Sequence, residues 1–444
     1  GARRSTPRGG RCMLRAAPRG TRSTTHDEAM SEARSTARRV TVGAAGLQLG
    51  GTEPLPFLCG AMHYFRIRRS RWGRCLDRFV ELGLPLVETY VPWGIHERGA
   101  EPRVDFGEGP ASDGYERDLG GFLDACAARG LRVVLRPGPH INGELTYFGF
   151  PERVLRDARC LAVGARGNPV VLPTIPRSFA VPSYASTAFH REAGAWLKAF
   201  GDFVEPRLWP DGPVVACQVD NELCHFFRTA AYDHDYHPDA IALYRRFLAE
   251  QYPGGLPAAA YGTDDPAAGP DAVEPPRAFD AGGPEQLVRH LDWVAFKQWL
   301  VVWALERMAR VLRMCGLDRV PLLANFPASG WGAACSLAAV EQRLDVAGLD
   351  VYHRRADHAA ARRIALTLAG ESRLPLVPEL GCGGWPWWWP LRWADQRRTA
   401  LSLLMHGVRG FNLYMLVERE QWYGAAVSDA GEPHRARFDD VQRL

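Results

Sequence analysis

No run of about 18 consecutive apolar residues occurs in the 444-residue chain, so no helical membrane span is predicted. The Arg-rich head also lacks the apolar stretch of a secretory signal. Ten cysteines are scattered with no Cys-x-x-Cys pair, and several lie inside apolar runs, so they read as reduced core thiols. There is no His-Glu-x-x-His or Cys/His cluster, no Gly-x-Gly-x-x-Gly or P-loop after a strand, and no Ser or Cys in a nucleophile elbow. These absences exclude the common metal, nucleotide and serine-hydrolase chemistries, and they predict neither metal nor cofactor. The expected compartment is the cytoplasm, with secretion left open.

Excess charge is lacking too once the head is set aside. Residues 1–39 hold ten Arg against Asp27, Glu28 and Glu32, a balance of +7, whereas the whole chain carries +4, which leaves −3 for residues 40–444. A slightly acidic body argues against nucleic acid as a partner, because the basic surface of such a protein sits on its folded domain. The head reads as a disordered Arg-rich segment and residues 40–444 as one catalytic domain. Hydrophobic residues at 46% and charged residues at 23% are an ordinary globular balance.

Short β-branched runs alternate with longer amphipathic stretches, the pattern of repeated βα units. The candidate strands are residues 57–64, 86–91, 132–137, 214–221, 321–326, 346–352, 374–379 and 410–416, with helix-like segments at 72–82, 119–128, 189–204, 284–314 and 391–406. Eight such units predict a (β/α)8 barrel. Residues 160–185 and 253–283 read as inserted loops, the second rich in Pro, Gly, Ala and Asp without periodicity.

In this fold the catalytic groups sit at the C-terminal ends of the strands. Those ends carry His63, Glu88, Tyr90, Arg136, Asn142, Glu144, Asp220, Asn221, Glu222, Asn325, Asp350, Tyr352, Glu379, Asn412 and Tyr414, a mouth rich in carboxylates and aromatics. Glycoside hydrolysis needs two carboxyls across the scissile bond, one protonated and one ionised. Glu222, ending strand four, and Glu379, ending strand seven, suit those roles. The alternative for either is a structural ion pair with a barrel arginine such as Arg136.

The phrases GAMHYFRI, TYVPWGIHE, LRPGPHINGE, CQVDNE, PELGCGGW and NLYML occur in that order between about Phe57 and Gly424. Together they resemble the β-galactosidases of glycoside hydrolase family 35, within clan A of retaining barrel glycosidases. The resemblance implies a carbohydrate substrate and a retaining exo-enzyme that removes terminal β-D-galactose. It makes Glu222 the acid/base and Glu379 the nucleophile, and it implies sugar contacts from Tyr90, Asn142, Gly143, Glu144, Asn221, Tyr352, Tyr414 and Tyr423. Other exo-glycosidases of the clan, a β-glucosaminidase or β-glucosidase, and a catalytically silent sugar-binding barrel are the alternatives. Family members continue into β-sandwich domains, whereas this sequence ends at Leu444 shortly after strand eight, so the expectation is a (β/α)8 barrel without those domains here, either as a truncated product or as a stripped-down barrel.

Some positions depart from the family pattern. Gly143-Glu144-Leu145 stands where many relatives have Ala-Glu-Trp, and Glu379-Leu380-Gly381-Cys382-Gly383-Gly384 replaces Glu-Phe-Gln-Gly-Gly. Trp385, Trp387, Trp388 and Trp389 are a candidate stacking platform for sugar. His63 and His140 read as neutral imidazoles that bond a sugar hydroxyl or hold a catalytic carboxylate, and Arg66 and Arg136 as cations that keep carboxylates ionised.

Overall fold

The computed structural model describes residues 37–444 apart from residues 98, 100–101, 108–116, 175–176, 229, 263–268, 329–334 and 387–390. Eight parallel strands form its centre: β1 (Leu58–Ala61), β2 (Leu86–Tyr90), β3 (Arg132–Arg136), β4 (Val214–Gln218), β5 (Leu322–Pro327), β6 (Val346–Asp350), β7 (Leu376–Gly381) and β8 (Gly410–Tyr414). They pair in the order β6-β5-β4-β3-β2-β1-β8-β7. The ring closes where the Val351 N–H donates to the Glu379 carbonyl at 2.7 Å and the Gly381 N–H donates back to Val351 at 3.1 Å. Nearly every strand residue is buried, as expected when side chains fill the barrel on one face and helices cover the other.

The helices follow the strands in turn: α1 (Arg69–Glu81), α2 (Leu119–Ala127), α3 (Thr187–Val204), α4 (Pro238–Gln251), α5 (Pro284–Met314), α6 (Leu337–Glu341), α7 (His358–Glu371), α8 (Trp393–Met405) and α9 (Arg435–Gln442). Local chemistry sets their ends. The Ser186 side chain accepts the Phe189 N–H at the start of α3, Asp118 caps α2 through Gly121, and proline opens α5 at its first turn.

The 253–283 stretch, expected as an inserted loop, contains short turns among its described residues. It carries a short helical turn (Ala258–Tyr261) and a 3-10 turn (Pro270–Ala272). Tyr261 Oη donates to Asp292 at 2.7 Å, and Tyr236 Oη donates to the Pro276 carbonyl at 2.8 Å. These bonds close a second small core, built from Tyr236, Tyr244, Phe247, Trp293 and Phe296, beside the barrel. Residues 160–185 form an excursion with a two-stranded hairpin, Val171–Leu172 against Phe179–Ala180.

A three-stranded antiparallel sheet, Val40–Gly43, Gly46–Leu49 and Glu53–Leu55, precedes β1 and has no counterpart in the expected strands. Its strands are three or four residues long, too short for periodicity to register. It buries Val40, Leu47, Leu49 and Leu55. Of the Arg-rich head, residues 1–36 lie outside the described residues. Arg38 and Arg39 form exposed ion pairs with Asp211 and Asp318.

Candidate active site

Pro378 shapes the strand that carries Glu379. It has no N–H for the ladder, and the β7–β8 register shifts between Val377 and Leu380. Its ring packs where the neighbouring strand has Gly348; a Cβ there would lie 2.4 Å from Pro378 Cδ. Glu379, 4% exposed, is thereby presented at the mouth. Its Oε1 accepts from Arg136 Nη2 at 2.5 Å, Tyr90 Oη at 2.9 Å and Asn325 Nδ2 at 3.3 Å, and its Oε2 accepts from Tyr352 Oη. Arg136 lies under the Tyr90 ring, 4.3 Å from its centroid.

Beyond β4 the chain turns through Asp220 and Glu222 at φ of 58° and 45°, a left-handed conformation that costs non-glycine residues of order 1 kcal/mol each. The turn is held from three sides. The His140 N–H donates to Asp220, Tyr184 Oη donates to the same carboxylate at 2.6 Å, and the Glu222 N–H donates to Asn325 Oδ1 at 2.9 Å. Glu222 is driven up to about 8 by burial and by the charge of Glu379, against the opposing pull of Arg136. One oxygen each from Glu222, Glu379 and Asp350 lies within 4.8 Å of the others. Such a trio has the composition of a cation site, but Glu379 already accepts four donors and Asp350 accepts from Asn325 at 2.8 Å.

The β3 loop supplies the opposite wall. Asn142, Gly143 and Glu144 are successively left-handed (φ 59°, 53° and 50°), and Gly143 is free of the side-chain strain its neighbours bear. Arg66 Nη2 donates to the Gly143 carbonyl at 2.6 Å, and Arg419 pairs with Glu144. Leu145, in place of the usual aromatic, tucks against the core, and Phe227 and Trp422 line the cavity instead. The cavity of about 330 Å³ is bounded by Tyr90, Asn142, Gly143, Glu144, Asn221, Glu222, Asp350, Tyr352, Glu379 and Tyr414 among others.

Seven of the eight expected sugar contacts and both glutamates therefore meet in one pocket. Tyr423 does not. Its backbone pairs with Gly384 and its ring is 58% exposed, so Trp422, on the other side of the chain, faces Tyr414 at 5.3 Å. Arg66 departs from expectation as well, because it donates to the Gly143 carbonyl and to His63 Nδ1 rather than to a carboxylate. His140 Nδ1 donates to the Asn221 carbonyl at 2.6 Å and holds backbone rather than a carboxylate. Burial holds His63 well below its usual range and His140 at about 4, so both are neutral. Trp385 is half-buried against the core, and residues 387–390 of the tryptophan run lie outside the described residues. Arg419 and Trp422 fell between the strand-end positions the sequence singled out; only their loop's return to the mouth makes them part of the site.

Residues 49–161 match the family model described as glycosyl hydrolases family 35. A β-galactosidase of Xanthomonas manihotis is 32% identical over 206 residues, covering 46% of this chain and 29% of the relative. An exo-β-D-glucosaminidase of Thermococcus kodakarensis is 27% identical over 273 residues, covering 58% and 32%. The chain thus spans about a third of the length of the curated relatives it matches. The solved structure of a β-galactosidase from the psychrophilic Marinomonas ef1 superposes with a TM-score of 0.66 at 18% identity, over 87% of this chain and 58% of that one, a likeness of fold. With the ordered sequence phrases and the barrel, these matches show a chain similar to the β-galactosidases of glycosyl hydrolases family 35, with the family model itself matching residues 49–161.

Proposed function

We propose that the chain is a retaining exo-glycoside hydrolase that removes terminal β-D-galactose, with Glu222 as acid/base and Glu379 as nucleophile. The observation that carries this reading is the pair itself. Two buried carboxyls whose oxygens approach within 4.8 Å sit in one pocket, one driven toward its protonated form and the other gripped by a guanidinium, an amide and two phenols. A separation of about 5 Å suits direct attack on the sugar, whereas inversion needs about 6.5–9.5 Å to seat a water.

In the first step Glu222 gives its proton to the glycosidic oxygen as Glu379 attacks the anomeric carbon, the C–O bond breaks and the aglycone leaves as an alcohol. Oε2 of Glu379, with one donor against three on Oε1, has the free lone pair for attack. In the second step Glu222, now a carboxylate, takes a proton from water as that water displaces Glu379 from the sugar. Losing the Glu379 charge in the ester lowers the Glu222 pKa, which lets one residue serve as acid and then as base. Asn221, whose Nδ2 is fixed on the Ile141 carbonyl, turns its Oδ1 toward the Tyr90 and Arg136 donors beside the nucleophile.

Trapping with a 2-fluoro-galactoside and mapping the labelled peptide tests the reading. The label is expected on Glu379, and a label on any other residue overturns it. The relatives' names differ in sugar, so a β-glucosaminidase is the second reading, and faster cleavage of a β-glucosaminide than of a β-galactoside would favour it.

A further inference from the structure

The reaction pocket has two unlike rims. Asn142, Gly143 and Glu144 give it a polar wall from the β3 loop, whereas Phe227, Pro327 and Ala328 give it an apolar lip past β4 and β5. Phe227 stays 42% exposed, although its neighbour Phe226 is buried. His225, Phe226 and Phe227 are successively left-handed (φ 55°, 55° and 60°), a conformation that such side chains rarely adopt. The turn is fixed from several sides. His225 Nε2 donates to the Lys297 carbonyl at 3.1 Å, the Phe226 ring stacks on Tyr184 at 5.5 Å and meets His140 at 5.1 Å, and Arg228 donates to the Val171 carbonyl. Backbone strain that is held in this way at a pocket mouth points to a side chain placed for function.

We propose that Phe227, with Pro327 and Ala328, forms the leaving-group subsite and selects β-galactosides whose aglycone is a ring with an apolar face, a second pyranose or an aryl group. The proposal rests on the reading of Glu222 as acid/base. An acid that protonates the glycosidic oxygen lies beside the aglycone, because that oxygen leaves with it. Glu222 and Phe227 belong to the same left-handed segment past β4, and Pro327 ends the neighbouring strand β5. The lip therefore stands on the leaving-group side, and the polar wall of the β3 loop is left for the hydroxyl-rich galactose.

The other aromatics of the cavity are not open in this way. Tyr90, Tyr414 and Trp422 are each 4% exposed or less, and Tyr352 donates to Glu379, so among the described residues Phe227 is the lining ring with a face left for a ligand. A flat aromatic face gains most by covering another flat apolar surface, which the C–H face of a pyranose and an arene both offer and a methyl group does not. Because the turn is already anchored through His225, Phe226 and Arg228, little ordering entropy opposes the contact.

The test is kcat/KM of wild type and Phe227→Ala on β-galactosides with phenyl, glucosyl and methyl aglycones. Taking each substrate's ratio of variant to wild type cancels the differing acidity of the leaving groups. The phenyl and glucosyl ratios are expected to lie about tenfold below the methyl ratio, the size of one lost stacking contact, and Phe227→Tyr should recover them. A loss confined to one ring supports the proposal and identifies which ring the lip takes. Equal ratios for all three substrates overturn it. A second measurement needs neither a variant nor turnover: calorimetry on wild type should show phenyl β-thiogalactoside binding about tenfold more tightly than its methyl counterpart. Equal affinities likewise overturn the proposal. The reading of Glu222 as acid/base fails in a different way, because Glu222→Gly would then slow substrates with good and poor leaving groups alike while the ring preference remained.

Discussion

Arg136 on β3 and Glu379 on β7 meet at 2.5 Å, both sealed from solvent, and the same guanidinium faces Glu88 at 3.6 Å. One cation thus serves two buried carboxylates. Glu88 has the poorer share: burial raises it to about 7, with Arg136 pulling it down and Glu379 pushing it up, and its other oxygen accepts from Asn412 at 3.0 Å.

Replacing Arg136 by Met removes the cation shared by two buried carboxylates and leaves them only neutral donors, and losing one partner of a buried ion pair costs about 3–5 kcal/mol. Urea unfolding should show a loss of that size, and turnover should fall by more than tenfold. Arg136→Lys should recover part of the stability but less of the activity, because an ammonium cannot serve two carboxylates in the planar fork geometry.

Stability should fall as pH rises from about 6.5 to 8. Glu88 and Asp220 are raised to about 7 and Glu222 to about 8, so across this window the folded state holds protons that the unfolded chain has already released. The buried histidines act in the opposite direction, since His140, His190 and His225 sit at about 4 and cost stability only below the ordinary histidine range. Urea midpoints at the two pH values measure the slope, and Glu88→Gln should flatten it. A midpoint that rises toward pH 8 would contradict the assignment.

Arg419→Met should act on binding rather than on chemistry. Arg419 is buried against Glu144, which lines the sugar cavity but lies on the wall opposite the reacting pair. The expected outcome is a rise in KM of about tenfold with a much smaller change in kcat, the pattern of lost ground-state binding. A drop confined to kcat would instead tie this pair to the transition state.

Discrimination between epimers should be steep. A pocket whose buried polar groups are spaced for one hydroxyl pattern leaves them unpaired with the wrong sugar, and such mismatches reduce kcat/KM by orders of magnitude. β-Galactosides are expected to be cleaved far faster than β-glucosides, and equal rates on nitrophenyl substrates would remove galactose from the proposed function.

Removing residues 1–36 should leave the melting temperature unchanged, because this Arg-rich stretch holds few large apolar residues. Extending the cut through Arg39 also removes the pairs to Asp211 and Asp318, both more than 40% exposed. Exposed pairs of this kind contribute about 0–1 kcal/mol each, so a shift of a few degrees at most should separate the two truncations.

The barrel was legible in the sequence because the strands are buried on both faces and therefore read as short, mostly apolar runs, each of which located its strand to within a few residues. The run 214–221 extended past the observed strand end because Val219, Asp220 and Asn221 beyond Gln218 are as buried as the strand itself, although they form the turn that follows it. The glutamates were legible for the same reason: a charge that ends an apolar run has few structural excuses. Asp350 had the same signature, yet a lone strand-end carboxylate does not reveal which groups it meets across the barrel.

Contacts made by neither periodicity nor motif were decided by tertiary structure alone. The side of the chain taken by Trp422 rather than Tyr423 follows from a bridge between residues 384 and 423, and the pairing of Arg419 with Glu144 joins positions 275 apart. The sequence by itself determined that eight βα units would close and which two glutamates would stand at the mouth, since local burial pattern and strand-end polarity are properties of consecutive residues. Only the closed barrel decided which carboxyls share the pocket, which arginine pairs with which acid and which aromatic lines the cavity, since those depend on distances across the ring.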